Sequence, residues 1–522
     1  MTHLATDRRR GEQDADRLRR PGLVLTVLVG AQLTIWIDNT ILTVALKTLA
    51  DPVVGLGASP EALAWSLNSY TLSFGACLLA GGALGDRLGR RTALVAGMIV
   101  FGLASAWAAW STSTGVLIAA RAVMGVGSAL VVPATLALIR SLFDGAARTR
   151  AVALWSAASG LAIAIGPLLG GFLLEHFWWG SVFLVNVPVV VVSVIGALLV
   201  VPEVRPAEQA DFDLVGVLLS ATGLGLLVYG IIEGGRRGDW LEVQVWGAVL
   251  GGLLVLAAFV LFELRTRTPS FDVLLFVDRT FAAASIGVAL TFFGLVGSMY
   301  YSVFYLQGVR SLDPLECGVV LAPVAVGVLA GAPLGIRLAR AVGPRAAAAP
   351  ALVVVSISLL GYAVLEQDTP LWQYGVLLLV QGLAMGVAIA PLTDAVVTVL
   401  PAARAAAGAA ATSVLRQVGA VLGVAVLGSL LVSGYRRDVA DLADSQPPAL
   451  AGAIRESAEA GRAAAAAADT PELVPPIDVA FIDAMHTTTV VAAAVALLGA
   501  VAVAVAMPRR ARWTELVNGR QQ

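Results

Sequence analysis

The chain has 522 residues, 58% hydrophobic and 13% charged, with a formal net charge of −1. Soluble domains carry about 25% charged residues, so the composition excludes an ordinary soluble fold and indicates a polytopic protein of the lipid bilayer. Two cysteines, Cys77 and Cys317, imply no disulfide framework, and three scattered histidines give no metal spacing. Lys47, the only lysine, follows Leu46 rather than a glycine-rich run, so a phosphate-cradling loop is excluded. The near-zero net charge says nothing about partners; no nucleic-acid partner and no cofactor are expected.

Residues 1–22 form a charged tail without a cleavable signal, expected to stay in the cytoplasm. Apolar segments then follow at Leu23–Leu46, Ala62–Leu84, Thr92–Trp110, Gly115–Ile139, Ala151–Leu174 and Gly180–Val201, within a first unit of residues 23–201. A linker, 202–280, contributes Leu214–Ile232 and Val243–Phe262. A second unit, 281–507, holds Phe281–Leu306, Gly318–Leu338, Ala346–Leu365, Leu371–Val396, Arg404–Leu431 and Thr487–Met507, ahead of a tail at 508–522. Each is long enough to cross about 30 Å of hydrocarbon as a helix. The expected fold is all-α, with 14 transmembrane helices: two pseudo-symmetric six-helix bundles and two inserted linker helices.

Arginine placement sets the orientation. Arg87, Arg90, Arg91, Arg148, Arg150, Arg337, Arg340 and Arg345 fall in alternate loops, which the positive-inside bias assigns to the cytoplasm together with both termini. Residues 433–485 are then external. They are Ala-rich and acidic on balance, and no fixed fold is expected of them.

The stretch "GGALGDRLGRRTALVAG" (Gly81–Gly97) sits between the second and third spans, with Asp86, Arg87, Arg90 and Arg91 among its glycines. The arginines anchor a tight turn, whereas Asp86 calls for a cationic partner or a helix N-terminus. "GIRLARAVGPR" (Gly335–Arg345) echoes it weakly, placing Gly343 and Arg345 where the first copy has Gly89 and Arg91. The echo suggests duplication, with chance similarity of apolar segments as the competing reading.

Charges inside spans are costly and mark function. Asp38 falls about 22 Å from the inner face at helical rise. Arg121 falls about 9 Å from the outer face, at matching depth, so the two can pair directly or through water. An acid under the opposed influences of burial and a guanidinium can exchange a proton; its competing role is helix glue. Arg416 lies near mid-membrane and Asp394 near the inner face, each open to a structural or a gating role. Trp36, Asn39, Asn68, Tyr70, Trp155, Tyr301, Tyr305, Gln307 and Gln381 are candidates for substrate contact, although aromatics also gather at membrane interfaces.

"GGALGDRLGRRTAL" resembles the cytoplasmic-loop signature of the major facilitator superfamily. "RAVMGVGSALVVPA" resembles its fourth-span signature, "AIAIGPLLGG" its antiporter signature, and "DNTILTVAL" that of the drug:proton antiporters. With "LRQVGAVLGVA" and the span count, the chain is similar to the fourteen-span multidrug branch. It departs at Thr43, Lys47, Ala162 and Gly180, where Asn, Pro, Gly and Arg are common. The resemblance implies that Gly82, Asp86, Arg87, Gly89, Arg90 and Arg91 form a conformational latch. Asp86 would dock near Arg404 at the start of the thirteenth span. Gly166, Pro167, Gly170 and Gly171 would serve as the antiporter element, with simple helix packing an equal reading.

The expectation is a proton-coupled antiporter of the plasma membrane, not an enzyme, acting as a monomer. It would export amphipathic drugs or antibiotics, cationic compounds among them, by alternating access. The alternatives are a dedicated exporter of one endogenous metabolite and a non-transporting membrane sensor or scaffold.

Overall fold

A computed structural model of the chain describes residues 21–205, 213–238, 240–266, 271–400 and 405–508; among these every regular element is a helix. In lipid this follows from the backbone: each N–H and C=O must be satisfied within its own segment, and a helix does so. In chain order the first stretch is α1 (Pro21–Ala50), α2 (Pro60–Leu88), α3 (Arg90–Ala109), α4 (Thr114–Leu142), α5 (Gly145–His176), α6 (Ser181–Leu184) and α7 (Asn186–Val200). The middle pair is α8 (Leu214–Arg237) and α9 (Val243–Arg265). The second stretch is α10 (Arg279–Phe304), α11 (Pro314–Val342), α12 (Pro344–Gly361), α13 (Leu371–Val399), α14 (Ala405–Asp438), α15 (Ala440–Asp444), α16 (Pro448–Glu456), α17 (Ala458–Ala467) and α18 (Val474–Ala506). Among the described residues, twelve helical segments are long and apolar enough to cross a membrane. Helices α2 and α5, of 29 and 32 residues, have spanning length as well.

The packing repeats itself. In the first stretch α2 and α3 both pack on α4, and α1 packs on α5; in the second, α11 and α12 pack on α13, and α10 packs on α14. Across the two, α5 lies against α11 and α14 against α2, while α8 pairs with α9 and leans on α14 and α2. The echo between the two basic turns extends to backbone detail. Both α2 and α11 are 29 residues long, each begins with Pro after a side-chain cap, Ser59 or Asp313, and each ends at a glycine of positive φ.

The segment 433–485 corrects the sequence expectation. It is ordered: α14 runs on to Asp438, three short helices follow, and α18 begins at Val474, well before Thr487. Alanine is the best helix former, and Leu450 and Ile454, four residues apart, bury one face of α16. Tyr435 donates to the Ile454 carbonyl at 2.9 Å, and Ser457 caps α17 by accepting from Ala460 N–H at 3.1 Å. Arg462 of α17 bonds Asp478 of α18 at 2.6 Å, which pins this helical cap to the body. Beneath it lies a small, partly open pocket lined by Leu63, Tyr300, Phe304, Tyr435 and Phe481.

Candidate functional site

Asp38 and Arg121 meet. Arg121 Nη1 lies 2.5 Å from Asp38 Oδ2, with side chains 1% and 0% exposed. Backbone geometry on α4 makes this possible. Gly125, one turn beyond Arg121, lets α2 come so near that an added Cβ would sit 2.3 Å from the Tyr70 carbonyl oxygen. That approach brings the Ser66 carbonyl to Arg121 Nε, at 3.2 Å, and the Tyr70 ring under the guanidinium, 4.3 Å from its centroid. The Tyr70 hydroxyl is tied to Ser128 Oγ at 2.9 Å. Tyr70 therefore supports Arg121.

Asn186 completes the shell of Asp38. It follows the break between α6 and α7, and its Nδ2 donates to Asp38 Oδ1 at 2.8 Å and to Ser105 Oγ at 3.1 Å. Both carboxylate oxygens are thus held, one by a charged and one by a neutral donor. Asn186 stands 148 residues from Asp38, a separation that sequence spacing does not bridge.

At the basic turn, Asp86 is bonded to Arg90 Nε at 3.2 Å, an i,i+4 pair with side chains 30% and 19% exposed. Arg90 also donates to the Ala137 carbonyl at 3.2 Å and to Ser141, which ties the turn to α4. Arg87 is exposed. Gly89 has φ 105°, a conformation side chains resist. Glu203 is an addition: its carboxylate accepts from the backbone N–H groups of Arg91 and Thr92 at 3.0 and 3.2 Å, capping α3 where an anion is favoured. The close helix contact belongs to Gly81, where a Cβ would lie 2.1 Å from the Ala129 carbonyl oxygen; at Gly82 the nearest atom would be 3.8 Å away. Arg404, the expected receptor for Asp86, lies outside the described residues.

The glycines at 166, 170 and 171 form a two-sided contact strip. A Cβ on Gly166 would come 1.9 Å from Thr40 Oγ1, and one on Gly170 2.9 Å from Ile41, both on α1. Gly171 faces the other way, 2.5 Å by the same measure from the Pro314 carbonyl oxygen on α11. A Cβ on Gly318 would likewise meet the Pro167 carbonyl oxygen at 2.5 Å. Other contacts between the two stretches gather at this end, away from the basic turn. Lys47 Nζ donates to the Gln307 carbonyl, Gln307 Nε2 donates to the Val44 carbonyl at 2.9 Å, and Tyr300 donates to the Pro60 carbonyl at 3.0 Å.

Several expected contact residues have partners within the protein. The Tyr305 ring stacks on Tyr374 at 5.6 Å, its hydroxyl donating to the Glu366 carbonyl. Gln381 accepts from Tyr362 at 2.8 Å and donates to Ser298 at 3.2 Å. Trp155 Nε1 donates to Thr135 Oγ1 at 3.0 Å. Tyr301 is buried on α10, Asn39 is half-buried beside Asp38, and Asp394 is exposed on α13. By contrast Trp36 Nε1, Asn68 Nδ2 and Arg416 Nε are buried without a hydrogen-bond partner among the described residues. The Arg416 guanidinium lies 4.8 Å from the Trp36 ring centroid and 5.3 Å from that of Phe292.

Spanning helices in two matching sets, close-packed through glycine and enclosing an acid–guanidinium pair, define a polytopic membrane transporter rather than an enzyme. The Major Facilitator Superfamily profile matches residues 28–424, and the chain belongs to that superfamily. It is 34% identical over 496 residues to the multidrug efflux pump LfrA of Mycolicibacterium smegmatis, covering 94% of this chain and 97% of that one. It is 31% identical over 490 residues to the tetracenomycin C resistance and export protein of Streptomyces glaucescens, covering 91% and 90%. Among solved structures, it aligns with a bacterial homologue of the human lysosomal transporter Spinster at a TM-score of 0.65 and 15% identity, covering 92% and 96% of the two chains, a likeness of fold.

Proposed function

We propose that the protein is a proton-coupled drug efflux transporter of the plasma membrane. It would cross the bilayer fourteen times as two six-helix bundles joined by α8 and α9, with both termini in the cytoplasm. The substrates are amphipathic drugs or antibiotics, and the relatives named for multidrug efflux and for antibiotic export support this class.

The observation that carries the proton step is the Asp38–Arg121 contact inside apolar helices. Burial disfavours a charged carboxylate, and a guanidinium at contact favours it. The balance changes with their separation, so a small shift between α1 and α4 converts one state into the other. Arg121 keeps its own proton and acts as the tuning charge. Asn186, which can donate to either form of the acid, holds Asp38 in place through the change. The strip of Gly166, Gly170, Gly171 and Gly318 supplies a smooth surface on which α5 can slide against α1 and α11. Closure at the Lys47–Gln307 end then alternates with closure at the basic turn, where Asp86 would leave Arg90 for the other bundle. Inward proton movement would in this way drive outward movement of substrate.

The direct test is drug accumulation in cells with and without the protein. Expression should lower accumulation of an exported compound, and a protonophore should abolish the difference. Accumulation that is lowered equally with and without the protonophore would exclude proton coupling.

A further inference from the structure

The Asp38–Arg121 pair cancels its own charge, whereas Arg416 has no ion-pair partner among the described residues. It projects from α14 to the aromatic rings of Trp36 and Phe292, on α1 and α10, and so lies where the two stretches of the chain face each other. Its Nε is enclosed and unpartnered, while the residue keeps partial access. Other buried polar atoms nearby are equally unsatisfied. Trp36 Nε1 has no acceptor. Gln32, fully buried one turn along the same face of α1, has neither its amide nitrogen nor its oxygen paired. Gln417, next to Arg416, has an unpaired Nε2, and Gly75 on α2 makes room for it: a Cβ there would lie 3.1 Å from Gln417 Cβ.

Buried polar atoms in native proteins are almost always hydrogen-bonded, so several orphans around one cation mark a place that a ligand completes. Most of these orphans are donors. Arg416, Trp36 and Gln417 offer N–H groups, and Gln32 offers both an N–H and an oxygen. The flanking rings provide flat apolar faces. From this arrangement we infer that the site selects planar aromatic compounds carrying an anionic oxygen, a phenolate or carboxylate, which Arg416 binds between Trp36 and Phe292. A cationic compound would meet the guanidinium as a like charge, an arrangement that discriminates by repulsion as well as attraction. This inference narrows the substrate class of the efflux reading and rests on it.

Fluorescein and rhodamine 123 share one tricyclic frame; fluorescein carries a phenolate and a carboxylate, whereas rhodamine 123, with its carboxyl esterified, is a cation without an anionic oxygen, which makes them a matched pair of probes. Binding of each to purified protein in detergent can be followed by fluorescence polarisation at pH 8, where fluorescein is a dianion. Fluorescein should bind at least about tenfold more tightly than rhodamine 123, the scale of one charge-assisted hydrogen-bonded contact. Arg416→Gln should weaken fluorescein by about tenfold or more and leave rhodamine 123 no weaker, its like-charge repulsion being relieved, while Arg416→Lys should restore part of the fluorescein loss. Trp36→Phe, which keeps a ring and removes Nε1, should weaken fluorescein without loss of a monodisperse protein. Tighter binding of rhodamine 123 than of fluorescein, no fluorescein binding, or indifference of fluorescein to Arg416→Gln would overturn the inference. Equilibrium binding requires no transport, so a failure of efflux with fluorescein selectivity intact counts against the efflux reading alone.

Discussion

Gly89 and Gly343, 254 positions apart, carry nearly the same backbone conformation: φ 105° and ψ 139° at the first, φ 92° and ψ 155° at the second. Each ends one helix and opens the next without an intervening loop. Side chains rarely adopt such a φ, and at Gly89 an added Cβ would also fall 2.6 Å from Glu203 Oε1. Gly89→Ala and Gly343→Ala should each destabilise the protein by about 1–2 kcal/mol, with Gly89→Ala the worse. Thermal unfolding in detergent checks this against Gly115→Ala, a helical site with nothing within 4 Å of the added methyl group, which should be neutral or stabilising.

Asp86 distinguishes a latch from an anchor. Its ion pair with Arg90 is partly exposed and contributes about 0.3–0.5 kcal/mol. Asp86→Asn should therefore leave the melting temperature almost unchanged. If Asp86 latches the other bundle in the alternate state, the same variant should slow transport several-fold and bias the conformational distribution, read by spin-label distances across the turn end. Parental turnover and distances would reduce the turn to an anchor.

The native cysteines report on the opposite end. Cys317 is fully buried on α11, one residue before Gly318 and close to where α5 packs. Gly171→Val would press against Pro314 and Leu315, where even a Cβ comes within 2.5 and 2.6 Å. In a Cys77→Ser background, Cys317 should react slowly with a maleimide in the parent and considerably faster in Gly171→Val, together with loss of transport. Unchanged reactivity would show that α5 and α11 tolerate separation without opening.

Orientation is checked with single cysteines. Ser445→Cys, exposed on the helical cap, should label with an impermeant maleimide in intact cells. Leu88→Cys, exposed at the basic turn, should label only after permeabilisation. The reverse pattern would invert the topology.

The helical, membrane-spanning character was legible because apolar length is a local property of a chain in lipid. The Asp38–Arg121 contact was legible for a related reason: depth along a helix can be counted from its ends at a fixed rise. What could not be counted was rotation and tertiary approach. Asn186 reaches Asp38 only because α7 packs against α1, and Ser66 offers a backbone atom, which no residue type announces. Tyr305, Tyr362 and Gln381 belong to a chain of mutual hydrogen bonds and ring contacts, a possibility that a polar residue in a span does not distinguish from a cavity wall. The cap was missed because alanine richness was taken for want of a core, although Leu450, Ile454 and Ile477 supply a small one.

Asp38 is the proposed carrier of the proton. Asp38→Asn preserves shape; its oxygen can still accept from Arg121, and its NH2 can donate to Asn186 once that amide turns to present its oxygen, so the fold should survive. Reconstituted into vesicles with an imposed pH gradient, the variant should retain substrate binding and passive exchange but show no gradient-driven substrate movement and no substrate-dependent proton flux. Gradient-driven transport at the parental rate would contradict the assignment and direct attention to Asp394.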